Sequence, residues 1–111
     1  MERVTIADAI NELDELACAL DNAYWDSANI QHKDIFYNLI SIIHGELNEL
    51  AKLSVVDHSM AYEPITAPWR NAVSKLKQLH SHLEAWVIRT KTVEQLEYHL
   101  PKLIRTLTVQ N

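Results

Sequence analysis

The run IFYNLISIIHGELNELAKL, residues 35–53, decides the fold class of this chain. Its apolar residues recur at alternating spacings of four and three, which is the period of an α-helix packed on a core: Phe36, Ile40, Ile43, Leu47 and Leu50. The run also contains Gly45, the only glycine in 111 residues. Since glycine supplies the positive-φ turns and phosphate-binding loops of most small enzymes, this chain has almost none of them. Of the common fold classes, an all-helical domain is the one that this composition favours.

The first half of the chain predicts a helical hairpin. Thr5 and Asp8 have the spacing of a capping box, and the apolar residues after them keep a helical period to about residue 24. A short polar break at 26–29 offers N-cap residues for a second helix, which we expect to extend to about residue 53.

The second half predicts another hairpin. Pro68 suits the first turn of a third helix, whose apolar period continues to Val87. Thr92 and Gln95 form a second capping box at the start of a fourth helix. Because the apolar period of this helix survives Pro101, we expect one kinked helix rather than two separate ones.

Two hairpins joined by a longer loop at about 54–67 predict an all-α antiparallel four-helix bundle, a single domain over residues 1–111. The apolar face of the second helix covers roughly half of its circumference, more than one neighbouring helix would cover. We therefore favour a homodimer packed on the second helix. The alternative is that the loop folds over this face and covers it with Val55, Val56, Met60 and Tyr62.

The net charge of −5 conceals a division within the chain. Residues 1–63 hold twelve acids against three bases, a net −9, whereas residues 64–111 hold three acids against seven bases, a net +4. Either the two halves attract each other within the fold, or the acidic half faces a basic protein partner. No nucleic-acid partner is expected, because the basic half does not interleave aromatic and basic residues.

The sequence indicates a cytoplasmic protein without a membrane partner. No run approaches the roughly 18 apolar residues that a membrane span needs. The start, MERVTIADAINELDEL, carries acids where a signal peptide carries an apolar core. The single cysteine, Cys18, cannot form an internal disulfide, which fits a reducing compartment.

Two nearly identical hexapeptides, ELDELA at 12–17 and ELNELA at 46–51, have either a helix-forming or a chemical role. The copies differ because the apolar face of the second helix extends past Glu46, whereas Glu12 borders solvent. A carboxylate among apolar side chains must find a partner, bind a metal or hold a proton. Glu46 is therefore the first candidate for a functional carboxylate.

Glu46 and Glu49 form a Glu-x-x-Glu pair that resembles half of the magnesium-binding pattern of MazG-type nucleotide pyrophosphohydrolases. Those helical enzymes carry a second pair, Glu-x-x-Asp, on the following helix, where this chain offers only Glu84. The resemblance implies a magnesium-dependent phosphohydrolase as an alternative function, with Glu46 and Glu49 as metal ligands.

Histidines offer two further candidates. His80 and Glu84 are four residues apart and have the ligand types of a metal site, although a core or dimer-interface histidine explains His80 as well. His44 lies at the edge of the core beside Gly45 and is a candidate for histidine phosphotransfer. The lysine and glycine that follow the histidine of phosphotransfer domains are missing, since Leu47 and Asn48 stand there.

Aromatic residues near helix ends either pack there or anchor a partner. With two acids of the first helix they make up the candidate partner-binding set, Glu12, Glu15, Trp25, Tyr62 and Trp69. The sequence has no basis for nucleophilic catalysis. We predict a small acidic helical binding or regulatory protein, of the adaptor, inhibitor or immunity type, that acts through protein-protein contacts. We expect a binding protein rather than an enzyme, with no assigned catalytic residue and no cofactor, and magnesium is the cofactor of the alternative function.

Overall fold

The computed structural model describes residues 4–109, which form α-helices and one short 3₁₀ helix. The elements are α1 (Ile6–Asp26), α2 (Ile30–Leu50), the 3₁₀ helix (Val55–Ser59), α3 (Ala67–Arg70), α4 (Val73–Ser81), α5 (Leu83–Trp86) and α6 (Thr90–Val109). No strand occurs among the described residues, although Thr5 and Ala61 make an isolated antiparallel bridge. The predicted all-α bundle is confirmed.

Local capping sets the limits of the first hairpin. The Thr5 hydroxyl accepts a hydrogen bond from the N–H of Asp8, and the Asp8 carboxylate accepts one from the N–H of Thr5. The predicted capping box is therefore present. The Asn29 side chain caps α2 by accepting from the N–H of His32. α2 ends at Leu50, before the predicted limit.

The predicted third helix is divided into α3, α4 and α5, with breaks at Asn71 and His82. At the second break the Ser81 hydroxyl donates to the carbonyl of Gln78 at 2.9 Å, and His82 Nδ1 lies 2.8 Å from the same oxygen. These side chains occupy the carbonyl that the N–H of His82 would reach in a continuous helix. That N–H bonds to the carbonyl of Leu79 instead. Local side-chain bonds thus accompany the end of α4.

α6 is one helix that contains Pro101, so the prediction of a single helix across the proline is confirmed. The proline has no N–H for the carbonyl of Glu97, a loss that the buried Leu100 and Leu103 offset through packing. The predicted start is wrong. α6 begins at Thr90, and Thr92 is buried within the first turn instead of capping it.

α1 lies at the centre of the bundle. It contacts α2 on one side and α6 on the other, while α4 packs on α6 and α3 packs on α2. None of the described helices has the length and hydropathy needed to cross a membrane. The largest fully buried side chains come from both hairpins: Leu13, Leu16, Leu20, Phe36, Leu39, Ile43, Leu50, Trp69, Leu76, Leu79, Leu96 and Leu100.

The chain itself covers the wide apolar face of α2. The flanking apolar residues are partly buried against the core: Ile35, Ile40, Ile42 and Leu47. Of the four loop residues expected as cover, Tyr62 is buried, but Val55, Val56 and Met60 are exposed. The loop therefore covers α2 through the segment around Tyr62, while the 3₁₀ helix packs against α1.

Candidate functional site

Glu46 is fully buried near the end of α2. Its Oε2 accepts hydrogen bonds from the Tyr62 hydroxyl at 2.6 Å and from the N–H of Ile65 at 2.9 Å. Its Oε1 accepts from the N–H of Thr66, also at 2.9 Å. These donors satisfy the carboxylate and hold the connection to α2 immediately before α3 begins. The arrangement is a structural link between α2 and the loop.

The same geometry gives no support to a magnesium site at Glu46 and Glu49. Both oxygens of Glu46 are engaged by N–H and O–H donors, and the Glu49 carboxylate pairs with Lys52 at 2.8 Å. Within residues 4–109, no three His, Cys, Asp or Glu side chains gather in a way that could hold a metal ion. The two glutamates therefore have different local roles.

Tyr62 and Trp69 are interior residues, which corrects their assignment as partner anchors. Burial raises the pKa of Tyr62, and the hydrogen bond to Glu46 and the charge of Glu46 raise it further. The neighbouring Trp69 side chain acts in the opposite direction on the same pKa. Both side chains were predicted near helix ends and are buried because the connection turns inward over α2. A partner cannot reach them in this fold.

The predicted pair of His80 and Glu84 does not form. His80 Nε2 lies 3.1 Å from the Glu97 carboxylate of α6, whereas Glu84 belongs to α5, beyond the break at His82. His80, Glu84 and Glu97 line one open surface pocket together with His82. Interruption of the third helix thus removes the i,i+4 relation on which the prediction depended.

His44, the phosphotransfer candidate, is exposed on α2. It makes no hydrogen bond to any other residue in the part of the chain that the structure describes. Exposure is one requirement for accepting a phosphoryl group, but no described side chain assists His44. The structure therefore adds no support for phosphotransfer through His44 beyond its exposure.

The sequence analysis missed His99, which is only 6% exposed and joins α6 to α1. Its Nδ1 lies 2.8 Å from Glu12 Oε2, and its Nε2 lies 3.2 Å from Glu15 Oε2. Because each ring nitrogen faces a carboxylate, protonated imidazolium is the form that donates to both. A signal was present, since His99 lies between Leu96 and Leu103 within the apolar period of α6.

Lys102 completes this group, and His99, Glu12, Glu15 and Lys102 are called the His99 cluster below. Lys102 Nζ lies 3.5 Å from Glu12 Oε1. A hydrogen bond with Tyr98 raises the pKa of Lys102, and the Glu12 charge adds to this against partial desolvation. Glu12 and Glu15, predicted to bind a partner, therefore pair with the basic half of the chain. The two halves attract each other here.

The outward face of α1 keeps acids that the bundle does not neutralise. Residues 6–26 contain six Asp and Glu residues and no Lys or Arg. Asp14 and Asp21 are exposed and make no hydrogen bond or ion pair within residues 4–109. Their spacing of one heptad puts them on one side of the helix, and Trp25 follows on the same side. This acidic face is open to solvent.

Three aromatic residues lie where this face ends, at the turn of the first hairpin. Trp25 is 71% exposed and its ring centroid is 5.2 Å from that of Tyr24. Tyr24 is in turn 6.4 Å from Tyr37 of α2, which is 62% exposed. We call Tyr24, Trp25 and Tyr37 the aromatic patch. Exposed aromatic clusters are typical of binding surfaces.

The candidate site is therefore a surface of the first hairpin, formed by the acidic face of α1 and the aromatic patch. Of the five residues predicted to bind a partner, Trp25 and Glu15 are largely exposed, and Glu15 contacts His99. Comparison with protein-family models, curated proteins and solved structures finds no match. The site geometry is thus the basis for the function proposed below.

Proposed function

We propose that this protein is a small acidic helical binding protein, of the adaptor, inhibitor or immunity type, that recognises a basic partner protein. One observation carries the proposal. The outward face of α1 has acids without an ion partner among residues 4–109, Asp14 and Asp21, and the largely exposed Trp25 lies on the same side. Charge would orient the partner, and the aromatic side chain would anchor it.

The distribution of charge supports this mode of recognition. Most of the bonds that neutralise α1 are on its inner side, where the His99 cluster lies, and at its end, where Arg89 Nε contacts Asp26 Oδ2 at 3.0 Å. The acids that remain free lie on the outer side. A net charge of −5 would accelerate encounter with a basic protein, and the effect would weaken as salt is added.

Other functions have less support from the site. A magnesium-dependent phosphohydrolase needs carboxylates that are free to bind metal, whereas both oxygens of Glu46 accept hydrogen bonds from the loop. Phosphotransfer would rest on His44 alone. A homodimer through α2 would have to use a helix whose apolar face is mostly covered by its own chain. A cytoplasmic location fits the single unpaired Cys18.

The test compares two variants that lose the same charge in different hairpins. Asp14→Asn/Asp21→Asn changes the acidic face, and Glu84→Gln/Glu94→Gln is the control, since all four side chains are exposed. Each protein is immobilised and exposed at low salt to an extract of the cells that produce it. Retained proteins are then eluted with salt and identified.

We expect the unaltered protein and the control to retain the same basic protein, and the α1 variant to retain at least tenfold less of it. Equal retention by all three proteins would show that the acidic face is not the binding surface. A rise in melting temperature with Mg²⁺ that Glu46→Gln abolishes would favour the phosphohydrolase instead.

A further inference from the structure

We infer that the aromatic patch is the docking site for an arginine side chain in a basic segment of the partner protein. The inference rests on the proposed function and specifies its point of contact. It depends on three features of the patch: its exposure, its accommodation of a cation from the chain itself, and the carboxylates beside its rings.

The chain leaves the patch open. Trp25 comes from the last turn of α1 and Tyr37 from α2, so two adjacent helices of one hairpin present aromatic rings side by side. Ile30, also exposed, precedes Tyr37 by two helical turns and extends the same side of α2. Nothing in the described part of the chain covers these side chains. A partner side chain can therefore lie flat against them.

The patch already accommodates one cation. Lys33 Nζ is 4.2 Å from the ring centroid of Tyr24 and 5.7 Å from that of Trp25, within the range of cation–π attraction. The same ammonium group donates a hydrogen bond of 2.7 Å to the carbonyl oxygen of Tyr24, which holds it beside the Tyr24 ring. Because Trp25 is 71% and Tyr37 62% exposed, both rings still present surface to a second cation.

Carboxylates lie beside both exposed rings. Asp21 precedes Trp25 by four residues and Asp34 precedes Tyr37 by three, spacings at which helix side chains are neighbours. Neither acid makes an ion pair within residues 4–109, and both are exposed. They would offset repulsion between Lys33 and an incoming cation. One ligand could therefore stack on either ring and donate N–H hydrogen bonds to the neighbouring carboxylate, Asp21 beside Trp25 or Asp34 beside Tyr37.

This combination suits arginine better than lysine. A guanidinium group is planar, stacks on an aromatic ring and donates in its own plane to a carboxylate, whereas an ammonium group does not stack. The acids also disfavour an anionic membrane surface as the occupant. The partner that fits is thus a basic protein segment with an exposed arginine.

The test uses hexa-arginine and hexa-lysine peptides as probes at low salt. Binding is measured from the shift of the Trp25 indole N–H resonance. The variants are Trp25→Ala, Tyr37→Ala and Asp34→Asn, with Val55→Ala as the control, because Val55 is an equally exposed apolar residue of the 3₁₀ helix. For the variants that retain Trp25 the same resonance is followed. For Trp25→Ala the binding constant comes from calorimetry, and circular dichroism checks its fold.

We expect hexa-arginine to bind at least threefold more tightly than hexa-lysine. Trp25→Ala should weaken hexa-arginine binding about tenfold, Tyr37→Ala and Asp34→Asn should weaken it severalfold, and Val55→Ala should leave it unchanged. Unchanged binding by Trp25→Ala, or no preference for arginine, would overturn the inference. A Trp25-dependent dimer, or binding to neutral lipid vesicles through Trp25, would also overturn it.

Failure of this inference is distinguishable from failure of the proposed function, because the two tests use different variants. If the peptide tests fail while Asp14→Asn/Asp21→Asn still releases the natural partner, the aromatic docking site is wrong and the acidic binding face stands. If the acidic-face variant retains the partner normally, the proposed function fails regardless of what the peptides show.

Discussion

The buried carboxylate of Glu46 is tolerated in this protein because three hydrogen-bond donors reach it. Burying an ionised carboxylate costs several kcal/mol unless hydrogen bonds replace its water. Glu46 receives the hydroxyl of Tyr62 and the N–H groups of Ile65 and Thr66. The function of Glu46 in the fold is therefore to fix where the connection crosses α2.

Replacing Glu46 by glutamine tests this role. The amide keeps the shape of the carboxylate, but its NH₂ group must face a donor, so at least one buried N–H or O–H loses its acceptor. We expect Glu46→Gln to lower the free energy of unfolding by about 3 kcal/mol, measured by urea denaturation. Glu49→Gln, which removes the more exposed pair with Lys52, should cost less than about 0.5 kcal/mol. Similar losses in the two variants would contradict a structural role specific to Glu46.

Tyr62 should make the fold sensitive to alkali. Its pKa is raised in the folded state, so the unfolded chain loses the tyrosine proton near pH 10 while the folded chain keeps it. The stabilisation due to Tyr62 is complete below about pH 10 and decreases above it, by up to about 1.4 kcal/mol per pH unit. The difference in stability between the unaltered protein and Tyr62→Phe should therefore shrink from about pH 9 to about pH 11. Tyr37→Phe, which removes the hydroxyl of an exposed tyrosine, serves as control.

His99 is the second buried polar residue with a defined contribution. Removing it breaks contacts to Glu12 and Glu15 and leaves a cavity between α1 and α6. We expect His99→Ala to lower the free energy of unfolding by about 2 kcal/mol. The matched control is His80→Ala, which breaks a more exposed contact with Glu97 and should cost less than about 0.5 kcal/mol. If the two substitutions cost the same in thermal denaturation, the His99 cluster does not stabilise the bundle.

At the scale of the helices, Gly45 lowers the stability of α2 and can be replaced. Gly45 has no positive φ, and a Cβ atom built on it would meet no other atom within 4 Å. Alanine therefore fits there without strain and lowers the conformational entropy of the unfolded chain. Gly45→Ala should stabilise the protein by about 1 kcal/mol and raise the melting temperature by about 4 °C. Ser41→Ala, at an exposed site of α2, should raise the melting temperature less. A lower melting temperature for Gly45→Ala would mean that the site does not tolerate a side chain.

The starts of α1, α2 and α3 were more predictable than the continuity of the predicted third helix. Thr5 and Asn29 bond to backbone N–H groups three residues away, and Pro68 has its own φ fixed in the first turn of α3. The division of the third helix was not predictable from its apolar period, because the period passes through both breaks. At the second break, the side chains of Ser81 and His82 compete for a backbone carbonyl. Such side chains can compete for a backbone carbonyl without ending a helix, so the sequence alone does not show whether the helix stops there.

At the scale of the whole molecule, coverage of α2 leads to an expectation about oligomeric state. The sequence favoured a homodimer because the apolar face of α2 is wide, but the core and the segment around Tyr62 cover most of it. We now expect the mass of a monomer, 12.8 kDa, in sedimentation equilibrium at the highest attainable concentration. Twice that mass would contradict the expectation. Tyr37→Asp would then show whether the exposed side of α2 forms the interface.

The acidic half of the chain pairs with the basic half on one side of α1 and leaves acids free on the other side. The inner side meets α6, where His99 and Lys102 contact Glu12, and the outer side keeps Asp14 and Asp21 free. Both explanations of the charge division thus apply, to different faces of one helix. Composition reveals the division but not which acids remain available to a partner.

The sequence by itself determined the fold class, the starts of the first two helices and the continuity of the last one, because period and capping depend on neighbours within a few residues. The candidate role of Glu46 followed from its apolar neighbours in the same helix. Only the tertiary structure decided what Glu46 and His99 contact. The partners of Glu46 lie 16 to 20 residues away along the chain and those of His99 lie 84 and 87 residues away, and no local pattern records which distant groups packing will bring together. The same reason explains why Trp25 remained exposed while Tyr62 and Trp69 were buried.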